Sequence, residues 1–164
     1  GLHLRERPAA AQAEDLGGPS ITLATRPAQQ AAPTPADFME ILRRDGPAKA
    51  AEIIRATVQS HPGTLASFEG VINQAGYELL GAGRSQDAVA ILALNVEIFP
   101  ESLNASDSLG EACLAAGEWD RAERCYLDVQ AKLDRAEGLT PQTRAQYAAN
   151  AERALAAIAQ QRAR

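Results

Sequence analysis

The chain has 164 residues, of which 46% are apolar and only 4% are aromatic, and its formal net charge is −5. This net negative charge argues against a nucleic-acid-binding protein, and no apolar run reaches the length of a membrane-spanning helix. With few aromatic and many alanine residues, the core has to form by close approach of small side chains, which favours an all-α fold.

Residues 1–34 are predicted to form an extended or disordered leader. Five of the nine prolines and the pair Gly17 and Gly18 lie within the first 35 residues. Such a composition disfavours regular secondary structure.

The following residues, 35–164, are predicted to form a helical domain. Thr34 followed by Pro35 is typical of a helix start. Gly46 ends that helix and precedes a second one, which continues to His61. These two helices form the first predicted pair.

Two further helix pairs are predicted beyond this point. The first pair comprises helices over about residues 66–80 and 86–99, and the second comprises helices over about residues 103–116 and 119–133. A threonine and a proline then repeat the start signal and open a last helix over residues 140–162. Its apolar residues form one stripe, as expected of a helix that caps the end of a stack.

A period of 34 residues relates the second and third helix pairs. The residues that recur at this period include Gly76 and Gly110, Gly83 and Gly117, and Ala88 and Ala122. Small residues allow two antiparallel helices to approach closely, so the first glycines are expected to face the alanines, and the second glycines are expected in the turns. Large residues such as Leu92 and Tyr126 are expected to fill the layer between one pair and the next.

This spacing resembles that of the tetratricopeptide repeat. Gly76, Gly83, Ala88 and Pro100 stand where that family has its small residue, turn glycine, second-helix alanine and closing proline. The resemblance implies an α-solenoid of antiparallel helix pairs. Its expected parts are a degenerate repeat at residues 35–62, repeats at residues 69–102 and 103–136, and a capping helix at residues 140–162.

A narrower resemblance concerns residues 72–80, 94–104 and 107–112. These stretches resemble the repeat-containing tail that follows the catalytic domain in some bacterial serine hydrolases of the penicillin-binding and β-lactamase-like group, and in some esterases. Ser106 and Cys113 stand where that tail usually has tyrosines, so contacts at these positions are not carried over. The alternative function that this implies is an accessory tail of a hydrolase whose catalytic domain is absent from this chain.

Sequence motifs for catalysis, metals and cofactors are missing. The chain has no Ser-x-x-Lys, Gly-x-Ser-x-Gly or His-Glu-x-x-His motif, so it is expected not to be an enzyme and to need no cofactor. Cys113 and Cys125 lack metal-site spacing and are expected to be buried free thiols, with a disulfide as the alternative. Asp107 and Glu111 have the spacing of an acid–base pair on one helical face, which leaves a small hydrolase as a hypothesis to test.

In tetratricopeptide repeats, however, these two acidic positions line the concave groove. The predicted partner-binding residues are Asn73, Tyr77, Leu80, Asn104, Asp107, Glu111 and Leu114. The two leucines provide an apolar floor, while the carboxylates disfavour the anionic C-terminal tails that some such repeats bind. The expected function is therefore non-catalytic binding of a basic or neutral protein or peptide segment, and an uncovered end of the stack would allow a homodimer.

Overall fold

The computed structural model describes residues 31–164, so nearly all of the predicted leader lies outside the described residues. The described part contains seven α-helices and one 3-10 helix, and it contains no β-strand. The α-helices are α1 (Pro35–Asp45), α2 (Pro47–Ser60), α3 (Glu69–Gly81), α4 (Ser85–Ile98), α5 (Leu103–Ala115), α6 (Trp119–Arg135) and α7 (Pro141–Arg162), and the 3-10 helix is Pro62–Ser67. The predicted all-α fold is confirmed for this part of the chain.

Side-chain caps begin the first and the last helix. At α1, the Thr34 hydroxyl accepts the Asp37 amide at 3.2 Å, and the Asp37 carboxylate accepts the Thr34 amide at 2.7 Å. These bonds lower the pKa of Asp37. At α7, the Thr140 hydroxyl accepts the Thr143 amide at 3.1 Å. The caps satisfy amides that have no partner within the helix.

Thr140→Ala is expected to lower the free energy of unfolding by about 1 kcal/mol, because it removes the cap of α7. Thr140→Ser keeps the hydroxyl and should cost less than half as much. Urea denaturation of both variants measures the difference. Equal losses would show that the methyl group, and not the hydrogen bond, is what matters.

The predicted turn glycines end their helices in the same way. Gly83 and Gly117 have φ angles of 73° and 74°, in the left-handed region that glycine adopts without a steric penalty. The Gly83 amide donates to the Leu80 carbonyl at 2.9 Å, and the Arg84 amide donates to the Leu79 carbonyl at 2.9 Å. Both bonds recur at Gly117, so the two turns share one C-terminal capping motif.

Two helix boundaries differ from the prediction for local reasons. A 3-10 helix precedes α3, which begins at Glu69 and not near residue 66. The Ser67 hydroxyl donates to the Thr64 carbonyl at 2.7 Å, and such local bonds compete with the α-helical ladder. Helix α6 continues to Arg135, two residues beyond the prediction, because Asp134 replaces the proline that would stop it.

Glycines on α3 and α5 make room for large side chains of the next helix. A Cβ atom on Gly76 would lie 2.5 Å from Cδ2 and 2.7 Å from Cδ1 of Leu92. A Cβ atom on Gly110 would lie 2.8 Å from Cζ of Tyr126. Both large side chains are almost completely buried, so each glycine is the receiving surface for one of them.

The atoms nearest to the two glycines belong to large side chains. Ala88 and Ala122 were predicted to face the glycines, but the nearest atoms belong to residues four positions later on α4 and α6. Both alanines are completely buried. Each glycine therefore lets two helices approach closely by leaving room for a large side chain. These side chains fill the space between α3 and α4 and between α5 and α6.

Helices that follow one another along the chain pack together. The contacts join α1 with α2 and then each consecutive pair from α3 to α7. Next-but-one helices also touch, namely α1 with α3, α2 with α4, α3 with α5, and α5 with α7. One core of buried apolar side chains includes residues from all seven α-helices. Within residues 31–164, no helix combines the length and the apolar composition that a bilayer span requires.

Helix α7 is tied to the end of α6 through one arginine. The Arg144 guanidinium donates to the Leu133 carbonyl, and also to the Ala136 carbonyl at 2.7 Å. These carbonyls belong to the C-terminal turn of α6, which has no following turn to supply donors. Helix α7 thereby supplies hydrogen-bond donors to carbonyl groups at the C-terminal end of α6.

Candidate functional site

The predicted groove residues lie on two helices that touch each other. Asn73, Tyr77 and Leu80 are on α3, and Asn104, Asp107, Glu111 and Leu114 are on α5. The Tyr77 hydroxyl donates to Oε2 of Glu111 at 2.7 Å. Since these two residues are one 34-residue period apart, α3 and α5 lie beside each other with equivalent positions adjacent.

The two leucines and Asn104 lie at intermediate depth. Leu80 and Leu114 are half-buried and pack against the apolar core. Asn104 is half-buried as well, and it precedes Asp107 by about one helical turn on α5. The leucines thus present part of their surface at the same helices as the polar groups.

Tyr77 is the most exposed aromatic residue of this face. Its side chain is 41% exposed, and its hydroxyl lies 2.7 Å from Glu111 and 3.3 Å from the Ser108 hydroxyl. Burial of the hydroxyl end raises the pKa of Tyr77 to about 12. The group therefore remains a hydrogen-bond donor at neutral pH, while its ring stays open to solvent.

Asp107 is unusual because its carboxylate is buried. The residue is only 7% exposed, and its Oδ1 atom has no hydrogen-bond partner among the described residues. Burial, followed by the charge of Glu111, raises the pKa of Asp107 to about 6, while the Asn150 side chain opposes this shift. A buried carboxylate without a full set of donors is costly when it is ionised.

Asn73 repeats this feature on the neighbouring helix. It is half-buried, stands one period before Asp107, and its Oδ1 atom is also buried without a partner in the described part of the chain. Tyr77 and Glu111 follow these two residues by one helical turn each. Two acceptor atoms in need of donors therefore occupy equivalent positions beside the Tyr77–Glu111 hydrogen bond.

Sequence reasoning missed two residues that complete the site. Ser108 is buried on α5 and lies near the Tyr77 hydroxyl. Asn150 comes from α7 and lies close enough to Asp107 to lower its pKa. Asn150 follows Tyr147 by three residues on the helical face of the predicted apolar stripe, so a polar residue at that position was the available signal.

A separate buried polar cluster joins α5 to α6. Nζ of Lys132 lies 2.6 Å from Oδ2 of Asp128 and 2.6 Å from the Ser106 hydroxyl, which itself donates to Asp128 at 2.7 Å. Lys132 also lines a cavity of about 460 Å³ between these helices and α7. The Ser106 hydroxyl donates a hydrogen bond to Asp128 and accepts one from Lys132. These hydrogen bonds hold the two helices together.

The two cysteines are free and buried, as the sequence predicted. The neighbouring Cys125 thiol, followed by burial, raises the pKa of Cys113. In the portion covered by the structure, no group of three or more His, Cys, Asp or Glu side chains is placed to hold a metal ion.

Similarity to known proteins supplies no family assignment. No protein-family model matches the chain, and no curated protein matches it either. The polar face of α3 and α5 is therefore the feature from which a function has to be inferred.

Proposed function

We propose that the chain is a non-catalytic α-solenoid of antiparallel, tetratricopeptide-like helix pairs that binds a protein or peptide through the face of α3 and α5. Three recurrences at the 34-residue period support the repeat. The capped turn at Gly83 recurs at Gly117. Gly76 and Gly110 each receive a large side chain of the next helix, which we call a filled glycine site. The Tyr77 hydroxyl forms a hydrogen bond with Glu111, one period later. Helices repeated in this way form an extended surface suited to polypeptide binding.

The observation that carries the binding proposal is the pair of unsatisfied acceptors on this face. Oδ1 of Asn73 and Oδ1 of Asp107 have no donors among the described residues, although buried polar atoms are nearly always paired. A partner that donates N–H hydrogen bonds to these two oxygens would offset the free-energy cost of burying them. The exposed ring of Tyr77 beside them offers the kind of aromatic contact on which interfaces depend.

Charge defines the kind of partner. Asp107 and Glu111 bring two carboxyl groups to one helical face, and the whole chain carries a net charge of −5. An anionic segment would be repelled, whereas a basic or neutral one would not. The proposed partner is accordingly a basic or neutral protein segment, and nucleic acid is not proposed.

An acid–base role for the two carboxyl groups is not part of this proposal. Glu111 already accepts a hydrogen bond from the Tyr77 hydroxyl. A catalytic pair has to reach its substrate from both carboxyl groups. Turnover of esters or glycosides that disappears in Asp107→Asn would contradict the proposal.

The alternative function is that of an accessory tail of a serine hydrolase. The stretches at residues 72–80, 94–104 and 107–112 favour it, because they resemble such tails. In that case the face of α3 and α5 packs on a catalytic domain of the same polypeptide. A longer reading frame with a catalytic serine motif upstream of this chain would support this alternative over a free partner.

The binding proposal is tested with a displayed library of random peptides selected on the full chain. The double variant Tyr77→Ala, Glu111→Lys removes the exposed ring and reverses one charge, and the selected peptides are expected to bind it at least tenfold more weakly. Glu40→Lys makes the same charge change on the exposed surface of α1 and should leave affinity unchanged. Equal affinity for wild type and double variant would exclude this face as the binding site.

A further inference from the structure

We infer that Asn73 and Asp107 form a seat for one cationic side chain of the partner, a lysine ammonium or an arginine guanidinium, with Glu111 as the second carboxylate beside it. This inference rests on the proposed function and names the chemical group that the face selects. It concerns one position of the bound segment only. The remaining contacts are left to Tyr77, Asn104 and the leucines.

The first argument is the chemistry of the unsatisfied atoms. Both are oxygens that can only accept hydrogen bonds, one from a carboxamide and one from a carboxylate. Lysine offers three N–H donors and arginine five, so either can satisfy more than one acceptor at once. A hydroxyl has a single donor and a carbonyl has none. A carboxamide has two donors, but it carries no positive charge to pair with the carboxylate.

The second argument is the charge around Asp107. The groups that face it are Glu111 on its own helix, the Tyr77 hydroxyl from α3, the Tyr126 hydroxyl from α6, and Tyr147 and Asn150 from α7. One carboxyl group and four neutral polar groups make up this set of described residues, and it contains no cation. A buried carboxylate normally has a charged partner, and none is present among its neighbours in residues 31–164. In this inference the ligand supplies that partner.

The third argument concerns access. Oδ1 of Asp107 is covered, and the side chain that reaches this carboxyl group from α7 is that of Asn150. Asn150 is only half-buried, so its amide has solvent on one side. Rotation of such a side chain takes place in nanoseconds and does not require helix movement. In this inference, Asn150 is the residue whose rotamer change gives a ligand access to Asp107.

Protonation follows from the same contacts. The cation favours the ionised form of Asp107, whose pKa is about 6 without a ligand. At pH 7.5 the carboxylate is ionised and ready to bind. At pH 5 about nine-tenths of it is protonated, so affinity for a cation should fall about tenfold between these two values.

The test uses small probes on the full chain, followed by NMR of the Tyr77 ring and the Asn73 side-chain amide. Butylammonium represents lysine, butylguanidinium represents arginine, and butyrate is the anionic control at equal ionic strength. Saturable shifts are expected with at least one cation and none with butyrate. The cation that binds more tightly shows whether the seat prefers lysine or arginine. Its affinity should be about tenfold lower at pH 5 than at pH 7.5.

Variants decide whether Asp107 is the seat. Asp107→Asn should weaken the cation at least tenfold and remove the dependence on pH, whereas Glu40→Gln, a remote loss of one carboxylate, should change neither. Cation shifts that persist unchanged in Asp107→Asn would overturn the inference. So would library peptides that bind this face with no preference for lysine or arginine, an outcome that leaves the proposed function standing. Cation binding without any peptide binding would instead count against the proposed function and not against the seat.

Discussion

Gly76→Ala is expected to lower the free energy of unfolding by about 1–3 kcal/mol. Elsewhere in a helix the same change raises stability by up to about 1 kcal/mol, because alanine has the higher helix propensity. At Gly76 the new methyl group would lie 2.5 Å from Cδ2 of Leu92, whose side chain is completely buried in the core. Urea denaturation at 25 °C measures the loss.

The matched control lies on the same helix. Gly70 is exposed on α3, and a Cβ atom there would meet no other atom within 4 Å. Gly70→Ala should therefore stabilise the protein. If both substitutions changed stability in the same direction, the contact between α3 and α4 would not depend on the missing methyl group.

A double-mutant cycle identifies the clashing residue. Leu92→Ala removes a fully buried side chain and should cost about 2–5 kcal/mol in the wild type. In the Gly76→Ala background it should cost less, because truncation also relieves the clash. Strict additivity would mean that the added methyl group is accommodated by some other movement.

Asp107→Asn is expected to raise the free energy of unfolding by about 3 kcal/mol at pH 7.5 and to leave it unchanged near pH 3.5. The pKa of Asp107 is about 6 in the folded chain, above its ordinary value of 3.8. Between these values the folded chain binds more protons than the unfolded chain, so the wild type loses stability as pH rises from about 4 to about 6. Each unit of difference is worth about 1.4 kcal/mol, and asparagine does not titrate.

Urea denaturation at several pH values provides the measurement. Asp134→Asn, at an exposed position of α6, serves as the control and should change stability by less than about 0.5 kcal/mol throughout the range. A destabilising effect of Asp107→Asn at pH 7.5 would show that the ionised carboxylate makes favourable contacts in the folded chain. In that case the Asp107 carboxylate would already have favourable partners and would not need a ligand.

Local backbone chemistry explains why the helix boundaries were predictable. Proline and glycine act on the residues next to them, so Gly46, Gly83 and Pro100 mark helix ends whatever surrounds them. Asp134 illustrates the same rule in reverse, since α6 runs on where the proline is missing. The recurrence of such residues at intervals of 34 residues also predicted which helices lie side by side, as the Tyr77–Glu111 hydrogen bond illustrates.

Contacts between distant parts of the chain were less predictable. The period placed small residues at Gly76 and Ala88, but which side chain enters the space above Gly76 depends on how α4 is rotated, and the answer was Leu92. The same holds for the site. Aspartate is ordinarily exposed, and Asp107 is buried partly because α7 brings Asn150 against it. No pattern within α5 carries that information.

The two filled glycine sites accept groups of different shape. Gly76 receives the isobutyl group of Leu92, and Gly110 receives the phenol ring of Tyr126. Joining α3 to α6 would force a ring into space made for a smaller alkyl group, and joining α5 to α4 would leave a void. Recombination between these segments should therefore succeed only when both helices of a pair are exchanged together, which makes the pair the smallest module that can be transplanted.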